Sequence, residues 1–549
     1  MMRMNRQAED WWRGAVIYQI YPRSFFDSNG DGIGDLPGVT AKLDHVARLG
    51  VDAIWLCPFF CSPQADFGYD VSDHVEVDPI FGTLADFDAL VERAHDLGLK
   101  VLIDQVWSHT SDRHPWFLAS RAGREGPHAD WYVWADPQPD GTAPNNWLSV
   151  FGGAAWAWEP RRRQYYLHHF LREQPALNLH NPDVVDAILE SGEFWLRRGV
   201  DGFRLDAIDF MLHDRQLRPN PPAPARTGDV PAKLFGLQRH DHDMMQPETA
   251  GVLAQVRRLM DRFPGRTTLG EISSQDGAFD RVRRLTAGER HLHMAYTLRP
   301  LRGGFDHASL RALLDEVAAG EDGWPCWSFS NHDVERAASR WHPRGRAAGH
   351  DADFARLLMA VLLSLRGSVS IYQGEELGLT EAELALSDLR DPFGIAFFPE
   401  FRGRDGSRTP MPWSEAAPQA GFTDGTPWLK VPEAHRPLAV ERSGLFGDWR
   451  RFLHWRRDSA AMTRGHLIPL DLPAPLIGFV RECDGERILA VFNLAEEEVT
   501  ADLGAFAGLR PLPETGFAPA ISGETATLPP FGALFAALET VESRTPVPA

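Results

Sequence analysis

The chain has 549 residues, of which 43% are hydrophobic and 24% are charged, and its formal net charge is −20 at pH 7. Such a negative surface repels nucleic-acid phosphates and anionic lipids, which argues against both as partners. No apolar run is long enough to span a membrane, no apolar leader is visible, and 4 cysteines are too few for a disulfide scaffold. We therefore expect a soluble cytoplasmic protein that acts on a small molecule, and its oligomeric state stays open.

Short apolar runs alternate with longer helical patterns along the chain. Amphipathic segments such as Thr83–Leu97 and Pro182–Arg198 separate the runs, an order typical of a parallel sheet with helical connections. Eight strands close a (β/α)8 barrel, so we predict an α/β fold of this TIM-barrel type, with an open doubly wound sheet as the alternative. The predicted strands are Val16–Tyr21, Ala53–Cys57, Val101–Val106, Gly202–Ile208, Thr268–Ile272, Met294–Leu298, Trp327–Ser330 and Val369–Tyr372.

Several connections are too long to be simple loops between a strand and its helix. The longest follows the third strand and is rich in Trp, Asn, Gly and Pro, and others span Phe210–Glu248 and Thr380–Pro437. All leave from carboxyl ends of strands, where barrels build their active sites. We predict a barrel from 1–104 and 175–460, an inserted subdomain from 105–174, and a C-terminal antiparallel β-sandwich domain from 461–549.

Three carboxylates lie at or just after predicted strands: Asp206, Glu271 and Asp333. Arg204 and Asp206 are two residues apart, so both side chains point to the same face of a strand. Burying such a charged pair is unfavourable unless the charges are paired or used in chemistry. A structural ion pair or a helix cap explains each carboxylate alone, whereas the three together predict convergence on one site if the sheet closes.

A series of motifs occurs in order between Trp12 and Trp413: VIYQIYPRSFFDSNGDGIGDLPG, DFGYDVSDH, DQVWSHTSDRHPWF, PNNWLSVFGG, QPALN, GFRLDAIDF, LGEIS, FSNHDVER, YQGEELG and GRDGSRTPMPW. In these motifs the sequence resembles the α-amylase superfamily of glycoside hydrolases (family thirteen), in particular its α-glucosidase and oligo-1,6-glucosidase branch. The resemblance implies a retaining α-glucosidase in which Asp206 is the nucleophile, Glu271 the general acid/base, and Asp333 the carboxylate that binds sugar hydroxyls in the transition state.

The resemblance also implies substrate-binding positions. Tyr69 would be a platform for the terminal glucose, and Asp66 with Arg404 would close a pocket that admits one sugar. Two histidines would bond sugar hydroxyls, and an arginine beside the nucleophile would keep it ionised. Phe151 and Phe170 are candidates for the pocket wall, with core packing as an equal alternative. The full set is Asp66, Tyr69, His109, Phe151, Phe170, Arg204, His332 and Arg404.

One loop begins like a calcium-binding loop. Oxygen-bearing side chains alternate along it at Asp27, Asn29, Asp31 and Asp35, with a glycine for the turn. It lacks the glutamate that ends an EF-hand loop, and a turn without an ion is the alternative. The resemblance implies a structural Ca²⁺ or Mg²⁺ here, remote from the chemistry, with the carbonyl of Ile33 as a further ligand. No organic cofactor is expected.

The predicted activity is exo-acting removal of the non-reducing terminal glucose from short α-1,4-glucosides such as maltose. In relatives a small residue after the nucleophile, here Ala207, goes with α-1,4 linkages, and valine goes with α-1,6 linkages. The alternative is an α-glucosyl transferase with an alcohol or a sugar as acceptor, and sucrose stays open as donor. The triad cannot separate the two because they share the first half-reaction. A non-catalytic relative or a starch-binding module would leave the three carboxylates unexplained.

Overall fold

The computed structural model describes residues 10–224, 233–274, 277–320, 322–506 and 508–539. Eight parallel strands form one sheet in the order β6-β5-β4-β3-β2-β1-β8-β7, and an isolated parallel bridge from Ala295 to Pro325 joins β6 to the start of β7. The predicted eight-stranded barrel is therefore confirmed. Its strands are Val16–Ile20 (β1), Ala53–Leu56 (β2), Lys100–Gln105 (β3), Gly202–Leu205 (β4), Thr267–Ile272 (β5), Met294–Thr297 (β6), Cys326–Trp327 (β7) and Ser368–Tyr372 (β8).

One long helix follows each strand and covers the barrel. In α2, Thr83 and Asp86 form a capping box in which each side chain accepts the backbone N–H of the other residue. Phe87 and Leu90 of this helix are buried, as its apolar spacing predicts. The helices are Leu36–Leu49 (α1), Leu84–Asp96 (α2), Pro182–Arg197 (α3), Thr249–Met260 (α4), Ala278–Thr286 (α5), His307–Ala318 (α6), Ala352–Ser364 (α7) and Leu445–Asp458 (α8).

Two strands end three residues earlier than the sequence patterns predict. Strand β4 stops at Leu205 instead of Ile208, because Ala207 has a left-handed backbone with φ 42° and ψ 50° that extended structure cannot continue. Strand β7 covers only Cys326–Trp327, whose pairing with β8 ends at Val369. The catalytic candidates after these strands therefore lie on turns at the carboxyl end of the barrel.

The connection between β3 and α3 forms a small structure of its own. It contains the helix Pro115–Arg121 and an antiparallel sheet of three short strands, in which Gln164–Leu167 lies between Trp134–Ala135 and Trp156–Glu159. A buried cluster that includes Trp147 packs against this sheet. The segment thus has its own small core beside the mouth of the barrel.

The C-terminal part consists of antiparallel β-structure. A five-stranded sheet and a three-stranded sheet enclose an apolar cluster of their own. Residues 1–9, 225–232, 275, 276, 321, 507 and 540–549 of the predicted domains lie outside the described residues, and the exact domain boundaries stay a prediction. The strands are His466–Pro469, Leu476–Cys483, Glu486–Asn493, Ala533–Ala537 and Arg510–Pro511 in one sheet, and Val499–Asp502, Thr525–Leu528 and Ala520–Ser522 in the other.

Among the described residues, no helix has the length and apolar character needed to cross a membrane. The cytoplasmic location stays a prediction.

Candidate active site

The three predicted carboxylates meet at the carboxyl end of the barrel. Glu271 belongs to β5, Asp206 follows β4 directly, and Asp333 lies on the turn after β7. The backbone N–H of Ala207 donates to Glu271 Oε2 at 3.0 Å. A left-handed backbone is unfavourable for a residue other than glycine and persists where its surroundings enforce it. Here it turns the chain after the proposed nucleophile toward the carboxylate of the next strand.

Arg204 connects the two carboxylates proposed to react. Its side chain has no solvent exposure; Nη1 lies 2.7 Å from Asp206 Oδ1, and Nη2 lies 2.7 Å from Glu271 Oε2. Nη1 also donates to Asp104 Oδ1 at 2.7 Å, and Nη2 donates to the Tyr296 hydroxyl at 2.6 Å. A planar guanidinium has fixed donor directions, so this network sets where both carboxylates lie.

The shared guanidinium does not fully compensate the carboxyl groups around it. Burial raises the pKa of Asp206 well above its usual value, and the charge of Arg204 opposes this increase without cancelling it. Burial likewise raises the pKa of Asp104 to about 6, again against Arg204. Arg204 therefore favours the ionised form of Asp206, as the sequence suggested, but three carboxyl groups share one cation. This balance favours retention of a proton among them.

Asp333 is held in a strongly positive environment. Oδ1 accepts from Arg408 Nη2 at 2.8 Å and from Arg404 Nη1 at 3.3 Å, and Oδ2 lies 3.3 Å from His332 Nε2. Burial alone would raise the pKa of Asp333, but its interactions with His332 and with the two arginines outweigh burial and leave the pKa below its usual value. Burial lowers the pKa of His332 itself to about 3, so this ring is neutral near pH 7 and the two arginines carry the positive charge. Asp333 is thus poised as an ionised carboxylate.

Arg404 joins the pocket residues predicted by the resemblance. Its Nη2 donates to Asp66 Oδ1 at 2.6 Å, while its Nη1 reaches Asp333. Asp391 holds the other side of the guanidinium through both carboxylate oxygens. All of these groups but Asp333 are buried, so together they form a closed polar end to the pocket.

Tyr69, His109 and His332 form one wall beside this end. The rings of Tyr69 and His332 stack with their centroids 5.3 Å apart and an interplanar angle of 3°, and their polar atoms lie 2.6 Å apart. His109 Nε2 is 3.1 Å from Gln174 Nε2, and Gln174 Nε2 donates to Asp66 Oδ2 at 3.2 Å. Burial lowers the pKa of His109 to about 4, so the ring is neutral near pH 7. The predicted sugar-binding residues are therefore contiguous.

Phe151 and Phe170 lie at the rim of the site. The Phe151 ring centre is 5.1 Å from the Arg404 guanidinium carbon, and the two phenylalanine rings are 5.9 Å apart. Both are partly exposed and line a groove of about 650 Å³ on the inserted segment. Phe170 also packs against the buried cluster of Ala207, Phe210 and Met244, so the pocket wall stays a prediction for both rings, with core packing as the alternative.

The structure adds two site residues that sequence reasoning missed. Asp104 stands opposite Arg204 in the register of β3 and β4 and also accepts from Tyr69 and Trp55. A lone carboxylate in the apolar strand VLIDQV was the signal that could have revealed it. Asp391 has no such signal: it precedes the short helix Pro392–Phe397 in the long connection after β8, 13 residues before Arg404, where no strand pattern marks a site.

The predicted metal loop is stabilised by its own hydrogen bonds. Asp27 accepts from the backbone N–H groups of Asn29, Gly30 and Gly32, and Asp35 caps α1 through Gly38 N. Burial raises the pKa of Asp35. The loop's hydrogen bonds oppose this increase, and the charge of Asp27 adds a smaller increase. In the described part of the chain, no three Asp, Glu, His or Cys side chains are placed to hold a metal. Both oxygens of Asp27 and of Asp35 already accept hydrogen bonds, and neither carboxylate has a cationic partner among the described residues. Oxygen ligands suit a hard cation, and the ion stays a prediction.

Paired carboxylates and their arginine at the carboxyl face of a (β/α)8 barrel are the arrangement of a glycoside hydrolase. Residues 19–465 match the family profile described as "Alpha amylase, catalytic domain". The chain is 51% identical over 541 residues to "Probable alpha-glucosidase" of Rhizobium meliloti (strain 1021), covering 96% of this chain and 97% of that protein. It is 36% identical over 535 residues to an oligo-1,6-glucosidase of Heyndrickxia coagulans, covering 90% and 94%.

A solved structure agrees with these relatives. The crystal structure of XgtA, an alpha-glucosyl transfer enzyme, matches with a TM-score of 0.92 and 51% identity, covering 96% of this chain and 99% of that one. The chain belongs to the alpha-amylase catalytic-domain family and is an enzyme of the α-glucosidase type.

Proposed function

We propose that this enzyme is a retaining, exo-acting α-glucosidase that removes the non-reducing terminal glucose from short α-1,4-glucosides such as maltose. The observation that carries the proposal is the binding of Asp206 and Glu271 by the one guanidinium of Arg204. Retaining enzymes need their two carboxyl groups about 5–5.5 Å apart, and a shared arginine favours such a short separation. The closed end formed by Asp66 and Arg404 supports exo action.

In the first half-reaction, an oxygen of Asp206 attacks the anomeric carbon as the glycosidic bond breaks. Glu271 gives its proton to the departing oxygen, which leaves as an alcohol, and glucose stays bound to Asp206 as an ester. The contacts from described residues reach Glu271 through Oε2. We assign the transferred proton to Oε1, which those contacts leave available to the leaving group.

In the second half-reaction, Glu271 removes a proton from water, and the resulting oxygen attacks the anomeric carbon. The ester bond breaks, glucose leaves with retained configuration, and Asp206 returns to its carboxylate form. Asp333 stays ionised beside two arginines and would stabilise the positive charge that develops on the sugar.

The proposed preference for α-1,4 linkages rests on Ala207. This small residue follows the nucleophile and belongs to an apolar cluster with Phe210 and Met244. A valine there would need room for two further methyl groups within this cluster. The small residue therefore agrees with the linkage that goes with small residues in relatives.

Transglucosylation is the second candidate. The similarity to XgtA, whose title describes an alpha-glucosyl transfer enzyme, favours it. The chemistry differs only in the acceptor, because an alcohol or a sugar hydroxyl replaces water in the second half-reaction. Sucrose is retained as an alternative donor.

We also propose that the loop with Asp27, Asn29, Asp31 and Asp35 binds one structural Ca²⁺ or Mg²⁺, with the Ile33 carbonyl as a further ligand. The support is chemical: buried Asp27 and Asp35 have no cationic partner among the described residues. The ion would stabilise the loop that precedes α1 and would take no part in the reaction.

Timed product analysis on maltose, isomaltose and sucrose, with and without an added alcohol, tests the function. We expect free glucose from maltose at a higher rate than from isomaltose, with the α-anomer formed first. Glucosides that accumulate at low alcohol concentration would favour the transferase. Asp206→Asn should abolish both reactions, and retained turnover in that variant would refute the assignment of the nucleophile.

A further inference from the structure

Two cations beside the candidate active site have no carboxylate partner. Lys233 Nζ lies over two aromatic rings, 3.6 Å from the centre of Phe401 and 3.8 Å from that of Phe393. Arg302 keeps contact with solvent at the end of the helix Leu298–Arg302. Among the described residues, neither cation donates a hydrogen bond to an acidic group. Each therefore carries a charge that the fold itself does not neutralise.

Both cations lie at the open side of the pocket. Lys233 belongs to the connection after β4, and its aromatic partners belong to the connection after β8, so the contact is where these two connections meet. The Phe393 ring is 4.5 Å from Phe151, which in turn lies against Arg404. Arg302 follows β6 at the same end of the barrel.

Both cations lie close enough to the reacting groups for their charges to interact. Burial, together with the charges of Arg302 and Arg404, lowers the pKa of Lys233 to about 7 against the opposing charges of Asp391 and Asp333. Desolvation also lowers the pKa of Arg302, against the charges of Glu271 and Asp333. Both cations are thus within electrostatic reach of Asp333.

The neighbouring carboxylates are already paired with other arginines. Asp391 and Asp333 bind Arg404, and Glu271 binds Arg204. Lys233 and Arg302 therefore have no carboxylate counter-ion among the described residues. Lys233 is half-buried, where a charge without a counter-ion is unfavourable, and Arg302 is exposed. An anion supplied by the substrate would remove this penalty.

We propose that Lys233 and Arg302 bind a carboxylate or phosphate on the group attached to the transferred glucose, so that the enzyme prefers anionic glucosides. This inference rests on the proposed function and narrows its substrate class. When terminal glucose fills the closed end at Asp66, the attached group lies at the mouth, beside both cations. Ammonium and guanidinium groups bind oxyanions through charge-assisted hydrogen bonds.

The test compares maltobionate with maltitol as substrates. The two share the α-1,4-glucosidic bond and the carbon chain. Maltobionate has a carboxylate where maltitol has a hydroxymethyl group. At low ionic strength we expect kcat/KM for maltobionate to be about tenfold higher, the ratio that one charge-assisted hydrogen bond supplies. Added salt should reduce the ratio. Maltose phosphorylated on the reducing glucose provides the phosphate arm, and a gain in either arm supports the inference.

Variants that lack one of the two cations test whether these cations cause the preference for maltobionate. Lys233→Met and Arg302→Gln should each lower the ratio toward one, and Arg48→Gln, which removes an exposed cation from α1, should leave it at the wild-type value. Melting temperatures of all three variants show whether they fold. Equal kcat/KM for maltobionate and maltitol in the wild type would overturn the inference while leaving the hydrolase proposal intact. Failure to hydrolyse even maltose would refute the proposed function together with this inference.

The pH dependence gives a second, independent measurement. Lys233 is charged below about pH 7 and neutral above it, so the preference for maltobionate should decrease as the pH rises through 7. Lys233→Arg keeps its charge and should preserve the preference to higher pH. Identical pH profiles of the ratio in the wild type and in Lys233→Arg would contradict a role for Lys233.

Discussion

Arg404 and Asp391 are joined by three hydrogen bonds at the closed end of the candidate pocket. The backbone N–H and Nε of Arg404 donate to Oδ2 of Asp391 at 2.8 and 3.0 Å, and Nη2 donates to Oδ1 at 2.7 Å. Burial alone would raise the pKa of Asp391, but Arg404 lowers it to about 2. The arginine is thereby fixed in the orientation that reaches Asp66 and Asp333.

Replacement of Asp391 by asparagine should loosen Arg404 without removing it. We expect KM for maltose to increase about tenfold, with a smaller decrease in kcat, because the sugar then has to order the guanidinium that Asp391 now fixes. Steady-state kinetics of Asp391→Asn measure the effect. The matched control is Asp88→Asn, which breaks an exposed ion pair with Arg198. Similar kinetics in the two variants would argue against a positioning role for Asp391.

Replacement of Glu271 by glutamine should separate the two half-reactions. Hydrolysis of maltose is expected to fall about 10²–10⁴-fold, because the leaving alcohol no longer receives a proton. A dinitrophenyl glucoside needs no such proton, so its first half-reaction should be affected much less. Added azide should restore turnover and yield a glucosyl azide, which mass spectrometry detects. An equal loss with both substrates and no rescue by azide would exclude Glu271 as the acid/base.

Glu375, on the turn after β8, should make the protein less stable at higher pH. Burial raises its pKa to about 7, whereas an unfolded chain has a value near 4.3. The folded state therefore holds the proton more tightly, and this stabilisation is complete below about pH 4.3 and lost as the pH rises through 7.

Glu375→Gln should remove this dependence, and the side-chain oxygen can still accept the N–H of Tyr372. Between pH 5 and pH 8, the free energy of unfolding of the wild type should fall by about 1–3 kcal/mol more than that of the variant. Urea unfolding at the two pH values measures this difference. Glu433→Gln, at an exposed ion pair, is the control and should follow the wild type. Parallel curves for all three proteins would contradict the prediction.

Removal of the proposed structural ion should destabilise the loop before α1. Treatment with a chelator is expected to lower the melting temperature by several degrees, and added Ca²⁺ or Mg²⁺ should restore it. In Asp27→Asn, which replaces one carboxylate oxygen with an amide nitrogen and removes the charge, the chelator should have little further effect. A wild-type melting temperature that does not respond to the chelator or to added ions would favour the turn without an ion.

The sequence predicted the barrel because its signals are local. Each strand is a short apolar run, and each helix has an apolar stripe with a recognisable start, such as the capping box at Thr83. Those patterns follow from the periods of strand and helix, so eight strands and their helices were recognised without tertiary information. The carboxylates at Asp206 and Glu271 were visible for the same reason, since they interrupt or follow apolar strands.

Only the tertiary structure decided how these groups are held. Arg404 joins Asp391, 13 residues before it, to Asp66, 338 residues before it, and nothing in the segment around Asp391 signals that arrangement. Sequence spacing likewise could not give the shared binding of two carboxylates by Arg204, because that depends on the register between strands and on closure of the sheet. The sequence by itself determined which chemical groups are present and on which elements they lie. The fold decided their distances, their burial and therefore their charge states, because these depend on neighbours that are remote along the chain.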